Sequence, residues 1–321
     1  MSSTRKHLPT VVLPLSEECD RPKCQDIFVY LRPESNGIVV ESAIMRAISR
    51  RTELNGRIKL VYLANLPGDF LSRSRVIEKH YQLKLLFTRA GGKLFTSSMK
   101  EEFSRYFGIP FDKARVAGAF EAMRILGMNR EELFDLWVAE KDLLHLNGQT
   151  IKRYHNLFIV NYDIPAILQK NSSETDIAVM IFRSELAPEE FHHLITDMVT
   201  ILRKDGIVDT QRPFSRVFHY SNGPFEQIRD GLGFLYDKNG NHLPLEHIRF
   251  YRYLIRSGLT RMEILKVLEY PLFVFGDDED RHREETIYAA TLESSYPEAR
   301  KVLLSARAQL LLGSGNVFTS Q

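Results

Sequence analysis

The sequence predicts an α/β protein: two sheet-bearing lobes with helices, joined by a helical segment. Three observations carry that expectation. Apolar runs rich in β-branched and aromatic residues recur at 27–31, 58–64 and 83–88, with helix-periodic stretches between them. From 97 to 146 the hydrophobic period is helical throughout. A second strand-rich region then opens at 157–162 and 177–182. Strands alternating with helices imply parallel pairing through right-handed crossovers.

In chain order, residues 1–24 read as a poorly ordered N-terminal extension broken by Pro9, Pro14 and Pro22. The run 27–31 has the pattern of a strand buried on both faces. After the loop Arg32-Pro33-Glu34-Ser35-Asn36-Gly37, a helix places Val40, Ile44, Ala47 and Ile48 opposite Glu41, Arg46, Ser49 and Arg50. A strand at 58–64, a short helix at 72–79 and a strand at 83–88 complete a small α/β unit over 25–92.

The helical segment 97–146 groups Phe103, Tyr106 and Phe107, then Val116, Phe120, Met123 and Ile125, then Leu133, Leu136 and Trp137. The span 151–275 forms a second α/β or α+β unit. In it Pro188-Glu189-Glu190 starts a helix with proline and acidic residues in the favoured first turn, and Gly206 stops it. Asn239-Gly240 suggests a type I′ hairpin turn within 234–241. A helical pair at 245–256 and 260–270 closes that unit. The remainder, 276–321, reads as a charged linker (277–285), a helix (297–312) and a frayed tail.

Two segments run almost in parallel: Gly127-Met128-Asn129-Arg130-Glu131-Glu132-Leu133 and Gly258-Leu259-Thr260-Arg261-Met262-Glu263-Ile264. Each offers a glycine to end one helix, an apolar residue, a capping side chain (Asn129 or Thr260) and a glutamate three positions on. The signature describes helix–helix corners, which is architecture and not chemistry.

Composition narrows the classes. Hydrophobic residues at 44% and charged residues at 26% exclude global disorder. The 43 basic and 41 acidic residues leave a net charge of +2, well short of a DNA-coating protein, so a nucleic-acid role needs a local patch. Two cysteines, Cys19 and Cys24, suit a reducing compartment. No stretch approaches the roughly 20 apolar residues that cross a bilayer, and residues 1–14 lack a secretory h-region. The expectation is a soluble cytoplasmic protein with no membrane partner.

Each candidate site has a structural alternative. Ser97-Ser98-Met99-Lys100 contains a Ser-x-x-Lys, yet Ser98 to Glu101 is also a capping box, and companion motifs of acyl-transfer enzymes are missing. Cys19 and Cys24 with His7 and Asp20 fall short of a zinc site, and the His242, Glu246, His247 cluster has the wrong spacing and is interrupted by Pro244. No metal is expected, and no cofactor is identified. His192-His193 reads as one packed and one solvated histidine. No Walker loop, G-x-G-x-x-G or G-x-S-x-G occurs.

Three constellations remain. The loop Arg32, Ser35, Asn36, Gly37 leaves a strand and enters a helix, where exposed N–H groups favour an anion. Its alternative is a plain connection capped by Ser35 or Asn36. The stretch Arg216-Val217-Phe218-His219-Tyr220-Ser221-Asn222-Gly223-Pro224 holds a histidine and a phenol suited to acid–base work, making His219 and Tyr220 weak catalytic candidates. No carboxylate partner is identifiable there, so a satisfied buried histidine is the alternative. Arg249, Arg252 and Arg256 share a helix with Phe250, Tyr251 and Tyr253, and Arg261 starts the next helix, a set suited to phosphate contact and base stacking. A solvated basic face, or one pairing with the acidic 277–285 run, is its alternative. The leading expectation is a regulatory or interaction protein that senses a small anionic ligand or docks a protein partner. A nucleotide- or phosphoester-handling enzyme comes second and a nucleic-acid-binding protein third.

Overall fold

The structure is a computed structural model describing residues 7–16, 24–207, 217–276 and 282–312. Helices and strands intermix along the chain, and the fold is α/β. The chain divides into two compact units, each assembled from separated segments. The first comprises Met1–Val76, Asn171–Thr260 and Thr291–Arg300; the second comprises Ile77–Lys170, Arg261–Ala290 and Lys301–Gln321.

The first unit is built on a five-stranded sheet in the order β1 (Thr10–Leu13), β3 (Ile58–Pro67), β8 (Asp176–Ser184), β2 (Gln25–Leu31), β9 (Phe218–Tyr220). Every neighbouring pair is antiparallel. Ile27, Val29 and Leu31 of β2 and Ala178, Met180 and Phe182 of β8 point to one face, under α1 (Ile38–Ser49) and α9 (Pro188–Lys204). The alternate residues face α10 (Pro224–Phe234) and α11 (Arg249–Arg256): Tyr30 packs on Phe234, and Phe28 lies against Gly231. α2 (Gly68–Arg73) follows β3, and Tyr296 at the start of α14 (Tyr296–Leu304) is buried against Phe250.

Burial on both faces therefore explains the continuous apolar runs, as expected, but the parallel pairing expected from them does not occur. Burial of both faces requires only helices on both faces; it does not encode strand direction. The extension expected at 1–24 is also partly ordered, because Val11 and its neighbours pair with β3 at the sheet edge. Residues 1–6 and 17–23 lie outside the described residues.

In the second unit, α3 (Val76–His80), which begins at its boundary, leads to α4 (Gln82–Ala90). The run 83–88 is thus helical and not a strand. Thr88 Oγ1 donates to Lys84 O, an i to i−4 contact only a helix makes. α5 (Ser97–Phe107) follows, capped by Thr96, whose side chain accepts the Met99 N–H. Ser98 is therefore not the cap, and Ser97 and Lys100 simply occupy the first turn.

The span 97–146 is not all helical. β4 (Arg115–Gly118) and β5 (Leu143–Leu146) lie inside it, beside α6 (Ala119–Leu126) and α7 (Arg130–Asp135). Val116 falls in register with Phe120 and Met123 on a helical wheel, which disguised a four-residue strand as a helical turn. The sheet order is β4, β7 (Leu157–Val160), β6 (Gln149–Tyr154), β5, and β4 with β7 is the one parallel pair among the described residues. Phe95, Phe103, Phe107 and Phe158 form its aromatic core.

After α8 (Ile164–Ile167) the chain leaves this unit, returning with α12 (Arg261–Glu269). A small antiparallel sheet runs β11 (Arg283–Thr286), β10 (Leu272–Phe275), β12 (Ala308–Gln309), with α13 (Ile287–Ala290) after β11. Residues 283–285 of the supposed charged linker are thus paired, and Glu284 accepts hydrogen bonds from Thr96 and Asn147. The helix expected at 297–312 ends at Leu304 and gives way to β12. Residues 277–281 and the tail 313–321 lie outside the described residues.

Both glycines follow the end of a helix, as expected. Gly127 (φ 65°) and Gly258 (φ 95°) are left-handed, and Asn129 and Glu132 form the reciprocal capping box. Nothing lies within 4 Å of a Cβ added at either glycine, so only backbone strain opposes substitution. Gly127→Val and Gly258→Val should each cost on the order of 1 kcal/mol or more, read as a lowered melting temperature; unchanged melting would contradict the corner geometry. The type I′ turn sits elsewhere than expected. Asn147 (φ 49°) and Gly148 (φ 76°) both have positive φ between β5 and β6. At 237–241 only Gly240 does, and Asp237 O accepts the Gly240 N–H in a type I turn with a glycine bulge.

α9 starts at Pro188 as expected. His192 and His193 are both exposed, correcting the packed-and-solvated reading. Glu190 receives both Arg57 guanidinium nitrogens at 2.7 Å and the Ala187 N–H at 2.8 Å. Those bonds, Arg57 foremost, hold its carboxyl down at about 2. The depressed value means its stabilisation is complete above the ordinary value near 4.5 and is lost as pH falls towards 2. Urea midpoints should therefore drop between pH 5 and pH 3 more in the wild type than in Glu190→Gln. Parallel pH profiles would contradict the pairing.

Candidate functional site

The two loops singled out in the sequence meet in the first unit. β9 pairs with β2, placing His219 opposite Tyr30 and Phe218 opposite Leu31. The Arg32 N–H then donates to Val217 O at 2.8 Å, and Ser35 Oγ donates to the same carbonyl. The Tyr30 ring, 3% exposed, organises the corner. His219 stacks on it at 4.6 Å with 29° between planes, and the Arg32 guanidinium carbon lies 5.6 Å from its centroid. Stacking on an aromatic face orients a guanidinium.

The carboxylate that sequence reading could not find is Asp230. Its Oδ2 lies 3.2 Å from His219 Nε2, with the Asp230 side chain fully buried and the His219 side chain 20% exposed. Arg229 stands beside it at 3.7 Å and also bonds Glu226 at 2.9 Å. Glu226 in turn accepts the Asn222 N–H, tying the turn to α10. Gly223 permits that turn, since a Cβ there would meet Thr291 O at 2.7 Å. A buried carboxylate holding a partly exposed imidazole is the arrangement of a positioned acid or base. The neighbouring hydroxyls are committed: Ser221 Oγ accepts the Phe28 N–H at 2.9 Å, and Ser35 Oγ is spent on loop carbonyls.

The signal for Asp230 was present. Gln227, Asp230, Gly231 and Phe234 follow i, i+3, i+4, i+7 on α10 and are all buried, so two polar residues occupy an apolar stripe. Tyr220 points to the opposite face, towards Phe191. Burial, with Glu293 and Glu226 nearby, raises its phenol above the ordinary value. It does not join His219.

The anion loop divides. Neither Ser35 nor Asn36 caps α1, whose N-cap is Gly37. Asn36 is locked into the sheet, donating to Asp176 at 2.6 Å and accepting the Ala178 N–H at 2.8 Å. Glu41, in the first turn of α1, has its carboxyl raised by burial and by Asp176. That end of the loop is therefore acidic, and Arg32 is the member directed to the His219 corner.

The basic helix is not a solvated stripe. Arg249 is 9% exposed, and its Nε donates to Cys24 O at 3.1 Å. Phe250 and Tyr251 are buried, so neither can stack on a base. Arg252 is half-buried, Arg256 is exposed, and Arg261 belongs to the second unit. The Arg249 N–H instead joins a buried polar cluster with Asp26, Arg183, Gln227 and Tyr296. Burial, with Asp26 nearby, pushes the Tyr296 phenol well above its ordinary value.

No group of three or more His, Cys, Asp or Glu among the described residues could hold a metal ion. His242 Nε2 lies 2.9 Å from Gly231 O, Cys24 Sγ points at Glu185 at 3.6 Å, and Cys19 and Asp20 lie outside the described residues. No helix among them is long and apolar enough to cross a membrane. Compared with protein-family models, with curated proteins and with solved structures, the chain matches none.

Proposed function

We propose that the protein binds a small anionic ligand at the Arg32–Tyr30–His219 corner and acts as a ligand-responsive regulatory protein of the cytoplasm. The observation that carries this reading is the stack itself: one buried tyrosine ring orients a guanidinium and an imidazole, and a buried carboxylate fixes the imidazole. Preorganised side chains of this kind lower the ordering cost of binding. The engaged hydroxyls of Ser221 and Ser35 favour binding over nucleophilic chemistry.

A second reading, a nucleotide- or phosphoester-handling enzyme, is favoured by the His219–Asp230 pair, since a fixed imidazole can transfer a proton to or from a bound phosphoester. The buried Arg249, Phe250 and Tyr251 leave Tyr253 as the one aromatic residue of that set still partly exposed, which weighs against the nucleic-acid reading.

The test is calorimetric titration with inorganic phosphate and a nucleotide panel. A charge-assisted contact contributes roughly 1.5–3 kcal/mol, so Arg32→Ala should weaken binding by about ten- to a hundredfold while the fold stays intact. Equal affinities in wild type and Arg32→Ala would return the corner to a structural role. For the enzyme reading, His219→Asn should abolish turnover of a phosphoester while affinity is largely kept; turnover surviving the substitution would exclude it.

A further inference from the structure

A cleft of about 500 Å³ in the second unit is lined by Tyr106, Phe107, Lys141, Asp142, Arg153 and His155. Volumes of this order are ordinary for small-molecule sites. Three elements build it. α5 ends with Tyr106 and Phe107, and Tyr106 Oη donates to Leu143 O at 2.8 Å, which seats its ring beside the short 3-10 turn Glu140–Asp142. That turn presents Lys141 and Asp142. The hairpin between β6 and β7 supplies Arg153, near the end of its first strand, and His155 at the tip.

Apart from the anchored Tyr106 hydroxyl, the polar side chains here are not consumed by the fold. Among the described residues, Lys141, Arg153 and His155 make no ion pair, in a chain whose other cations frequently do. Arg153 is instead bedded on an aromatic surface, its guanidinium carbon 5.8 Å from the Phe158 centroid, with Phe107 packed edge-on to the same ring at 4.8 Å. The Tyr106 ring is 43% exposed although its hydroxyl is anchored, so an aromatic surface is held open to solvent. His155 sits at φ 54°, a left-handed conformation that an L residue adopts at a cost and that glycine would relieve. His155, exposed and with its ring 4.3 Å from that of Tyr154, lines a cleft that also presents Arg153 and the exposed Lys141.

We infer that this cleft is a nucleotide site, separate from the corner in the first unit. The phosphate meets Arg153, Lys141 and His155, the base lies on Tyr106, and Asp142 accepts from a base amino group or a ribose hydroxyl. Guanidinium forks match phosphate geometry, and a tyrosine face stacks on any base. A single carboxylate among three basic groups leaves the cleft attractive to anions, and Asp142 accounts for selecting a ligand that also carries donors.

Titrating the full chain with AMP, adenosine and inorganic phosphate tests this. AMP should bind more tightly than either fragment. Arg153→Ala should weaken AMP at least tenfold, and exposed Lys141→Ala should weaken it severalfold, which keeps the test open if Arg153→Ala fails to fold. Tyr106→Ala should weaken AMP while leaving phosphate binding unchanged. Arg32→Ala should not alter AMP affinity at this site. No AMP binding, AMP no tighter than phosphate, or equal affinity in wild type and Lys141→Ala or a folded Arg153→Ala would overturn the inference. AMP binding lost in Arg32→Ala but kept in both second-unit variants would assign the ligand to the first-unit corner alone.

Discussion

Asp26→Ala should destabilise the protein by roughly 3–5 kcal/mol, the cost typical of stranding one member of a buried ion pair. Asp26 and Arg183 face each other directly across β2 and β8, both side chains 3% exposed, with Arg183 Nε to Asp26 Oδ1 at 2.8 Å. The second carboxylate oxygen accepts the Arg249 N–H at the start of α11, and Arg183 also donates to Ser16 O. Removing the carboxylate leaves a guanidinium in the interior without its counter-charge and frees a helix N–H. The large effect belongs to that broken state and not to the pair itself. Asp26→Leu combined with Arg183→Met should therefore recover much of the loss, because the desolvation cost of both charges disappears together. Urea titration of the three variants measures this directly. A wild-type midpoint for Asp26→Ala would contradict the buried pairing.

Gly118→Ala should be the most damaging single-methyl addition in the second unit. A Cβ there would sit 2.0 Å from Thr88 O and 2.7 Å from Thr88 C, both backbone atoms that no rotamer change can move. The close approach lets the end of α4 lie against the end of β4 where α6 begins. Overpacking of this kind costs about 1–3 kcal/mol. Gly127→Ala, with open space around its Cβ, carries only the left-handed strain of about 1 kcal/mol. Thermal melting should rank Gly118→Ala below Gly127→Ala; the reverse order would show that the α4–β4 approach is looser than the backbone geometry indicates.

The elements legible in the sequence were those with an unambiguous local signal. Gly127 and Gly258 announced their corners because left-handed φ selects glycine. β2, β3 and α9 announced themselves by long apolar patterns. What failed was short or non-local. β4 has four residues and shares its apolar spacing with α6, so period alone assigned it to a helix. Strand direction is set by partners distant in sequence: β8 lies between β2 and β3 in the sheet although most of the second unit is inserted before it. Asn147-Gly148 carried the type I′ signal that was credited to Asn239-Gly240, where Asp237 instead accepts the Asn239 and Asn241 N–H groups and stabilises a type I turn.

The site divides in the same way. His219 and Arg32 stood out as polar residues beside apolar strands, but their meeting depends on the β2–β9 pairing, which no local pattern encodes. Asp230 was visible only as a carboxylate on an apolar helical stripe. Arg249 misled because an i, i+3, i+7 spacing describes a helix face without saying whether that face is wet, and its first residue is turned into the core.

The claim on which the functional account rests is that Arg32 and His219 serve one ligand. An NMR titration of the His219 ring signal with inorganic phosphate and with the tightest-binding member of the nucleotide panel, carried out in Arg153→Ala so that the second-unit cleft does not contribute, tests it most directly. The account predicts that the His219 signal moves with the same saturation curve as the calorimetric binding, and that Arg32→Ala shifts that curve to about ten- to a hundredfold higher ligand concentration. A ligand that saturates the protein while the His219 signal stays still, or a His219 titration indifferent to Arg32→Ala, would contradict it.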